Sequence, residues 1–430
     1  MQTKTCLIPL LLLLLLIVKG TKAQERSNSL DSLTRTIVRE GFESVGIHQN
    51  KNDVYLFYEN RLFRWEIDGL SRILKVASSS LSDSTILHVV PMHYEVPVAV
   101  ITTAVLDYKR NKELPTGDYH ANNLAHTELN GDDLNSIRKS LKFQNRPFGK
   151  IDLFFLPGFG LTLGNYDNPF RLKFSISPIL QTSLWKGSVV SVQVNVPVYN
   201  ELQQKDESRV RLETAMLNQL VRLPKDLFIY GSAGIFAFPN RISSDIIYQR
   251  YGLAADVRKY FFNGRFCTGF SGGYTSLMYF GEGYFNYVPN DTKFNYTFFG
   301  EYREPKYDFT TRVTAGKFLY DDTAVRVDIS RQFHELAIGL FVLKSTLHSD
   351  GETGTVGGFN IIVPIAPRKA LKPSKFRVNL ARYFNWEFRE RTVDPLATTY
   401  RTNRDWNETF RNLNPDFINK QLHVTSSEGK

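Results

Sequence analysis

The chain has 430 residues, 42% hydrophobic and 22% charged, with 13% aromatic residues and a formal net charge of +10. A mean hydropathy of −0.26 excludes a polytopic helical membrane protein, which needs several runs of about 20 apolar residues. The aromatic content excludes intrinsic disorder, and the length suggests two domains unless one large barrel takes up much of it.

The first element is an apolar run from Cys6 to Val18, preceded by Lys4 and followed by Gly20-Thr21-Lys22-Ala23. A charged start, a leucine-rich centre and small residues at Thr21 and Ala23 predict a signal peptide over residues 1–23, with Gln24 leading the mature chain. Cys6 leaves with it, so Cys267 remains alone and no internal disulfide is expected. That cysteine usage fits bacterial export better than eukaryotic secretion. Losing Lys4, Lys19 and Lys22 lowers the net charge from +10 to +7, too small and dispersed to argue for nucleic acid.

Residues 24–110 read as a small α+β domain. Leu30, Leu33, Ile37 and Val38 have helical spacing, and Gly41 stops that helix. Short strands are expected at Ser44–His48 and Val54–Glu59, then a helix carrying Leu70, Ile73, Leu74 and Val76. Strands at Thr85–Met92 and Val98–Leu106 complete an α-β-β-α-β-β order with helices on one face of a sheet. Its histidines (His48, His88, His93) and those beyond (His120, His126) lack the pairing a metal site requires. Residues 111–149 are polar and predict a linker, with one short helix around Leu134–Leu141.

From Ile151 the period changes from helical to alternating. Val190, Val192, Val194, Val196 and Val198 stand against Ser191, Gln193 and Asn195. The same alternation recurs at Leu172–Ile176, Val210–Glu213, Arg250–Arg258, Phe294–Phe298, Val325–Ile329 and Phe376–Phe388. Such strands carry one apolar and one polar face. A soluble sandwich would bury the apolar face, whereas an outer-membrane barrel would turn it to lipid. The length of 150–391, aromatic pairs near strand ends and charges on the polar parity favour an antiparallel barrel of about 12 to 14 strands. The aromatic pairs, among them Phe154-Phe155, Tyr260-Phe261-Phe262 and Phe298-Phe299, are expected to form interfacial girdles. Arg331 and Arg382 fall on the apolar parity and predict strand ends, where such side chains snorkel. Pro178 and Pro197 predict sheet irregularities. Residues 392–430 form a polar tail with a short helix around Trp406–Leu413, which either plugs the lumen or lies in the periplasm.

The words Gly316-Lys317-Phe318-Leu319-Tyr320-Asp321, Val327-Asp328-Ile329-Ser330-Arg331-Gln332-Phe333 and Gly358-Phe359-Asn360-Ile361-Ile362-Val363-Pro364 give this region a resemblance to a known family. So do Gly41-Phe42-Glu43-Ser44-Val45 and Tyr58-Glu59-Asn60-Arg61-Leu62-Phe63-Arg64 near the N-terminus. Together they resemble the YjbH family, outer-membrane proteins associated with exopolysaccharide production. The resemblance implies an outer-membrane location with an N-terminal periplasmic domain. It also implies contact with outer-membrane lipid, an anionic exopolysaccharide and other polysaccharide-export proteins. His334-Glu335 stands where the family usually has an Asn-Gly turn.

No Walker A sequence, G-x-S-x-G elbow, H-E-x-x-H or cysteine cluster is present, so no catalytic residue, cofactor or metal is expected. Asp321-Asp322 reads as a solvated turn. The candidate contact residues are charges on the polar parity: Arg209, Arg211, Glu213, Arg250, Asp256, Arg258, Arg326 and Asp328. They form either a network of ion pairs filling a narrow lumen or a basic path for an anionic polymer. The expected function is a non-enzymatic barrel assisting export or assembly of extracellular polysaccharide. The alternatives are a general porin or small-solute channel, and a structural barrel with a closed lumen.

Overall fold

The computed structural model describes residues 29–113, 125–126, 131–163, 170–201, 208–237, 248–262, 264–281, 284–346, 353–370, 375–389, 396–400, 402, 413–414, 416–418 and 421. The expected signal peptide and the helix at Trp406–Leu413 lie outside these residues, apart from Leu413 itself.

The chain begins with α1 (residues 29–40), β1 (Glu43–Asn50), β2 (Asp53–Glu59) and α2 (Glu66–Ser80). It continues through β3 (Ile86–His93), β4 (Val96–Pro97), β5 (Ile101–Ala104), α3 (Val105–Glu113), β6 (Ala125–His126) and α4 (Gly131–Ser140). The strands form one sheet in the order β1-β2-β3-β5-β6, with β4 on β3 and β2 parallel to β3. In α2, Ile67, Leu70, Ile73, Leu74 and Ala77 recur at helical spacing and are all buried, while Glu66 and Asp68 suit the positive end of the helix dipole. Helices cover both faces rather than one. Leu33 and Ile37 of α1 and the apolar stripe of α2 share a core with Leu56, Tyr58 and Val89, and Leu134 of α4 packs on Phe57, Val90 and Val100 behind them. The strand expected over Val98–Leu106 is shorter, because the chain turns into α3 at Val105.

A second sheet takes the rest of the chain. Its strands are β7 (Ile151–Leu163), β8 (Phe170–Thr182), β9 (Ser188–Asn200), β10 (Arg211–Leu223), β11 (Leu227–Phe236), β12 (Tyr248–Phe261) and β13 (Phe266–Gly281). Then come β14 (Tyr284–Tyr287), β15 (Lys293–Glu304), β16 (Phe309–Lys317), β17 (Thr323–Phe333), β18 (Leu336–Thr346), β19 (Thr353–Pro364), β20 (Phe376–Leu380) and β21 (Tyr383–Arg389). Neighbours in sequence pair antiparallel from β7 to β19, with β14 a side strand on β13. Connections at one end are tight turns such as Lys225-Asp226 and His334-Glu335, held by left-handed residues at Lys225, Asp226 and His334.

The 15-stranded sheet is not closed into a barrel. Its ends are β20, which pairs parallel with β7, and β21, which pairs antiparallel with β19. Only Ala381 and Arg382 separate those two strands in the chain. The strand expected over Phe376–Phe388 is therefore broken, and Arg382 occupies the break. Its guanidinium turns to Glu66 at 2.9 Å and the Asn60 carbonyl at 2.8 Å, not outward along the strand. Pro197 does mark an irregularity: Phe174 pairs with Tyr199 and Ser175 with Pro197, leaving Val198 as the extra residue of a bulge.

Burial decides how the alternation is used. Val192 is 36% exposed and Val198 65%, whereas Gln193 and Asn195 are 6% exposed each. The same inversion holds for Phe294 and Phe298, exposed, against buried Asn295 and Thr297. Apolar faces look out and polar faces look in, the reverse of a soluble sandwich. Exposed aromatics gather at both ends of the strands, with Trp185, Phe262 and Tyr307 in the tight turns and Phe170, Tyr199 and Phe280 at the opposite ends. Phe299 is an exception to the expected girdle, since it points inward and is buried. No helix among the described residues is long and apolar enough to cross a membrane, which says nothing of strands.

Candidate functional site

The inward faces of β11, β12, β13, β15, β16, β17, β19 and β21 converge on one cavity of about 440 Å³. Four of the expected contact residues meet there: Asp256 and Arg258 on β12, and Arg326 and Asp328 on β17. Each guanidinium has a carboxylate. Arg258 lies 2.5 Å from Asp256, which also accepts a hydrogen bond from Ser271 Oγ at 2.6 Å. Arg326 reaches Asp328 at 2.7 Å and Glu387 at 2.8 Å. Arg312 and Glu301, 3.7 Å apart, complete the charged wall. Phe299 serves as its apolar backing, with Arg312 3.8 Å and Arg258 5.4 Å from the ring centroid. Its sequence neighbour Phe298 points the other way, so only strand parity separates the two.

The other four expected residues are not gathered there. Arg250 is buried on β12, donating to Thr275 Oγ1 at 2.7 Å and to Asp291 Oδ2 at 3.2 Å. Glu213 sits at a register shift between Leu212 and Thr214, accepting from Gln193 Nε2 at 2.8 Å. It lines a separate cavity of about 80 Å³. The shift moves the inward parity of β10 from odd to even residues, so Thr214, Met216 and Asn218 follow it inside. Arg211 stands at the start of β10 opposite Asn195, and Arg209 is exposed before that strand.

The tail contributes residues that sequence reasoning did not place. Leu396 and Ala397 are buried among Phe318, Phe341, Leu343 and Val356. Asp322 holds this segment: its Oδ2 accepts from Ala397 N at 2.7 Å and from Ser345 Oγ at 2.6 Å. The acidic turn expected to be solvated therefore has one buried carboxylate that anchors the tail. Further on, Tyr400 Oη donates to Asn295 Oδ1 at 3.2 Å, and its ring lies 5.0 Å from that of Phe236. Thr402 borders both cavities. At the opposite end of the strands, Asn414 donates to the Gly264 carbonyl at 3.0 Å and Asp416 pairs with Arg265 at 2.6 Å. Leu413, Phe417 and Ile418 enter the core of the N-terminal sheet. The described parts of the tail are thus fixed at both ends of the second sheet, with Tyr400 and Thr402 inside it.

The N-terminal sheet covers the tight-turn end. Gly187 N donates to the Tyr94 carbonyl and Gln181 Nε2 to Tyr94 Oη, both at 2.7 Å. Val96 packs on Leu220, Phe228 and Tyr230. Arg64 pairs with Glu335 at 2.6 Å, and the Trp65 and His334 rings lie 4.0 Å apart. Buried Arg377 of β20 joins Glu43 of β1 at 2.8 Å and Asp152 of β7 in a bidentate pair. Near this contact, burial and then the Arg61 and Arg382 cations push His93 well below the ordinary histidine range, which keeps it neutral.

The family pattern described as exopolysaccharide biosynthesis protein, YjbH, matches residues 17–379. The chain belongs to the YjbH family. No curated protein and no solved structure matches it. Several YjbH-like words have structural reasons. Gly316 has φ +155°, and a Cβ there would meet the Tyr296 carbonyl oxygen at 2.2 Å. Asp321 has φ 65° and pairs with Lys317 at 2.8 Å and with Lys293. The YjbH-like word Tyr58–Arg64 ends on the Arg64–Glu335 pair, and Glu43 of the first word receives Arg377.

Proposed function

We propose that this chain is a non-enzymatic outer-membrane protein that assists export or assembly of an extracellular polysaccharide. The carrying observation is the inverted burial of the second sheet, with apolar residues outward and hydrogen-bonded polar residues inward. In water such a surface exposes a large apolar area without return, whereas in a bilayer it meets hydrocarbon. The polysaccharide connection comes from the family's role in exopolysaccharide biosynthesis.

In this reading the second sheet works as a barrel. With β14 set aside and β20 and β21 taken as one broken strand, its 15 strands become thirteen crossings. An odd number of up-and-down crossings leaves the first and last strands running the same way. The parallel pairing of β20 with β7 is what such a seam requires. Tight turns suit the periplasmic side of a barrel, so the N-terminal sheet, which covers those turns, sits in the periplasm. Tyr400 and Thr402 of the tail at the interior cavities, together with the cavity arginines Arg258, Arg312 and Arg326 that each hold a carboxylate, argue against a general porin. They favour a barrel whose interior is opened or used only when the tail moves.

Two experiments test this. Outer-membrane fractionation with heat-modifiable gel mobility is expected to place the folded chain in the outer membrane; a soluble periplasmic product would overturn the barrel. Deleting the gene is expected to reduce surface polysaccharide, and unchanged polymer would remove the export role.

A further inference from the structure

The parallel seam is zipped over only part of its length. Ile151 N donates to the Lys375 carbonyl at 2.8 Å, and Ala381 N donates to the Phe155 carbonyl at 3.0 Å. These bonds place the backbone groups of the odd residues of β7 on the seam side, because a strand's backbone groups alternate between its two neighbours. The next odd residue is Pro157, which has no N–H to give. Pairing stops there. Both strands continue past that point: β7 remains on β8 as far as Leu163↔Phe170, and β21 remains on β19 as far as Gly358↔Arg389. No ladder joins β7 to β21, although the Phe159 and Trp386 rings lie 5.4 Å apart. Two adjacent strand edges thus run side by side without hydrogen bonds between them.

The smaller interior cavity lies directly behind the break. Phe154 and Leu156 of β7 line it from one side of the seam, Ala381 and Tyr383 from the other, and Ile179 and Met216 face them across the space. On the outer side the seam is bordered by the rings of Phe159, Trp386 and Phe359, the last 5.6 Å from Trp386. Apolar side chains thus stand on both sides of the seam, with Gln181, Gln193, Glu213 and Arg382 set deeper around the small cavity, while the larger cavity is walled with charge.

We propose that the β7–β21 seam is a lateral portal through which an acyl chain of a membrane lipid enters the cavity behind Leu156. The portal rests on the membrane reading above. An open strand edge facing hydrocarbon is penalised for each unsatisfied group, so Pro157, which removes one donor from that edge, lowers the barrier to keeping it open.

The test places the photoreactive residue p-benzoylphenylalanine in the full chain, folded into phosphatidylcholine vesicles and selected by heat-modifiable mobility. It is introduced at Val192 on the outward face, at Leu156 behind the seam, and at Thr297 on the far interior wall. Illumination is expected to give lipid adducts at Val192 and Leu156 and none at Thr297. Adducts at Val192 without any at Leu156 would overturn the portal and leave the membrane reading standing. No adduct at any position would overturn both. Adducts at Thr297 as well would show lipid throughout the interior and overturn a portal at this seam. A second variant, Pro157→Val, restores the missing donor. It is expected to lower the Leu156 adduct about tenfold, the change that about 1.4 kcal/mol of added pairing produces. An unchanged yield would show that Pro157 does not hold the seam open.

Discussion

The hydroxyl of Tyr400 occupies the space that a side chain on Gly273 would need. A Cβ built on Gly273 would stand 1.5 Å from Tyr400 Oη, and Tyr400 is bonded at 3.2 Å to Asn295 on the neighbouring strand. The glycine on β13 is thus the seat of the tail's ring, and its lack of a side chain leaves room for that ring inside the sheet.

Gly273→Val is expected to expel Tyr400, since overpacking a filled site costs about 1–3 kcal/mol. Planar-bilayer recordings check this. The native chain should give little steady current, and the variant should show open events. Large steady currents from the native chain would show that the tail does not obstruct the interior.

Asp322→Ala removes the acceptor for both Ala397 N and Ser345 Oγ. Hydrogen bonds to a charged acceptor contribute roughly 1.5–3 kcal/mol, so the start of the tail should loosen while the strands stay folded. Limited proteolysis is expected to cut near Leu396 faster in the variant, with heat-modifiable mobility unchanged. Phe417→Ala, at the other anchor, should cost more, about 3–5 kcal/mol for a buried phenylalanine.

Arg377→Met leaves Glu43 and Asp152 buried without their shared cation. Breaking a buried ion pair by removing one partner costs about 3–5 kcal/mol. Thermal unfolding of the folded chain should therefore show a clearly lower midpoint. A shift no larger than that of a surface substitution would mean that the Arg377 pairs do not hold the N-terminal sheet to the second.

Leu340→Arg addresses the outward face directly. Leu340 lies mid-strand on β18 and is 67% exposed. On a water-facing surface the change would be nearly neutral, whereas on a lipid face it should cost roughly 2–4 kcal/mol. Equilibrium folding into vesicles distinguishes the two, and an unchanged folding free energy would count against the membrane.

Lys186, in the turn between β8 and β9, supplies a pH dependence. Burial, followed by repulsion from Arg138 and against the pull of Glu95, lowers its ammonium to about 8 from the ordinary 10.5. Between those two values the unfolded chain holds a proton that the folded chain has lost, so stability contributed at this site rises with pH across that window. Below pH 8 the charge is carried in both states and opposes folding by its full amount. Lys186→Met is expected to raise the melting temperature at pH 7 and to flatten its rise from pH 8 to 10. An unaltered pH profile would exclude Lys186 as the source.

The alternation at Val190–Val198 and Phe294–Phe298 was enough to establish strands and their two faces, because side-chain direction in a strand has period two whatever surrounds it. The spacing of Leu70, Ile73, Leu74 and Val76 was likewise enough for α2. The partners of Arg258 and Arg326 were partly legible, since Asp256 and Asp328 stand two residues away on the same face. Arg312 and Glu301 lie on different strands, so their meeting depends on register and could not be read from spacing. The bulge at Glu213 shifts parity, and the break at Arg382 turns one side chain aside, through local backbone geometry that composition does not encode.

What the sequence by itself determined was the division of each strand into an apolar and a polar face, and the family words, which sit on β17 and β19 as well as on turns. Which face is inside was decided only by tertiary structure, because a sandwich and a barrel use the same alternation with opposite burial. The route of the tail was decided there too. Leu396, Tyr400 and Phe417 carry no shared periodicity, and their places depend on contacts with Asp322, Gly273 and Trp65, each far away in the chain.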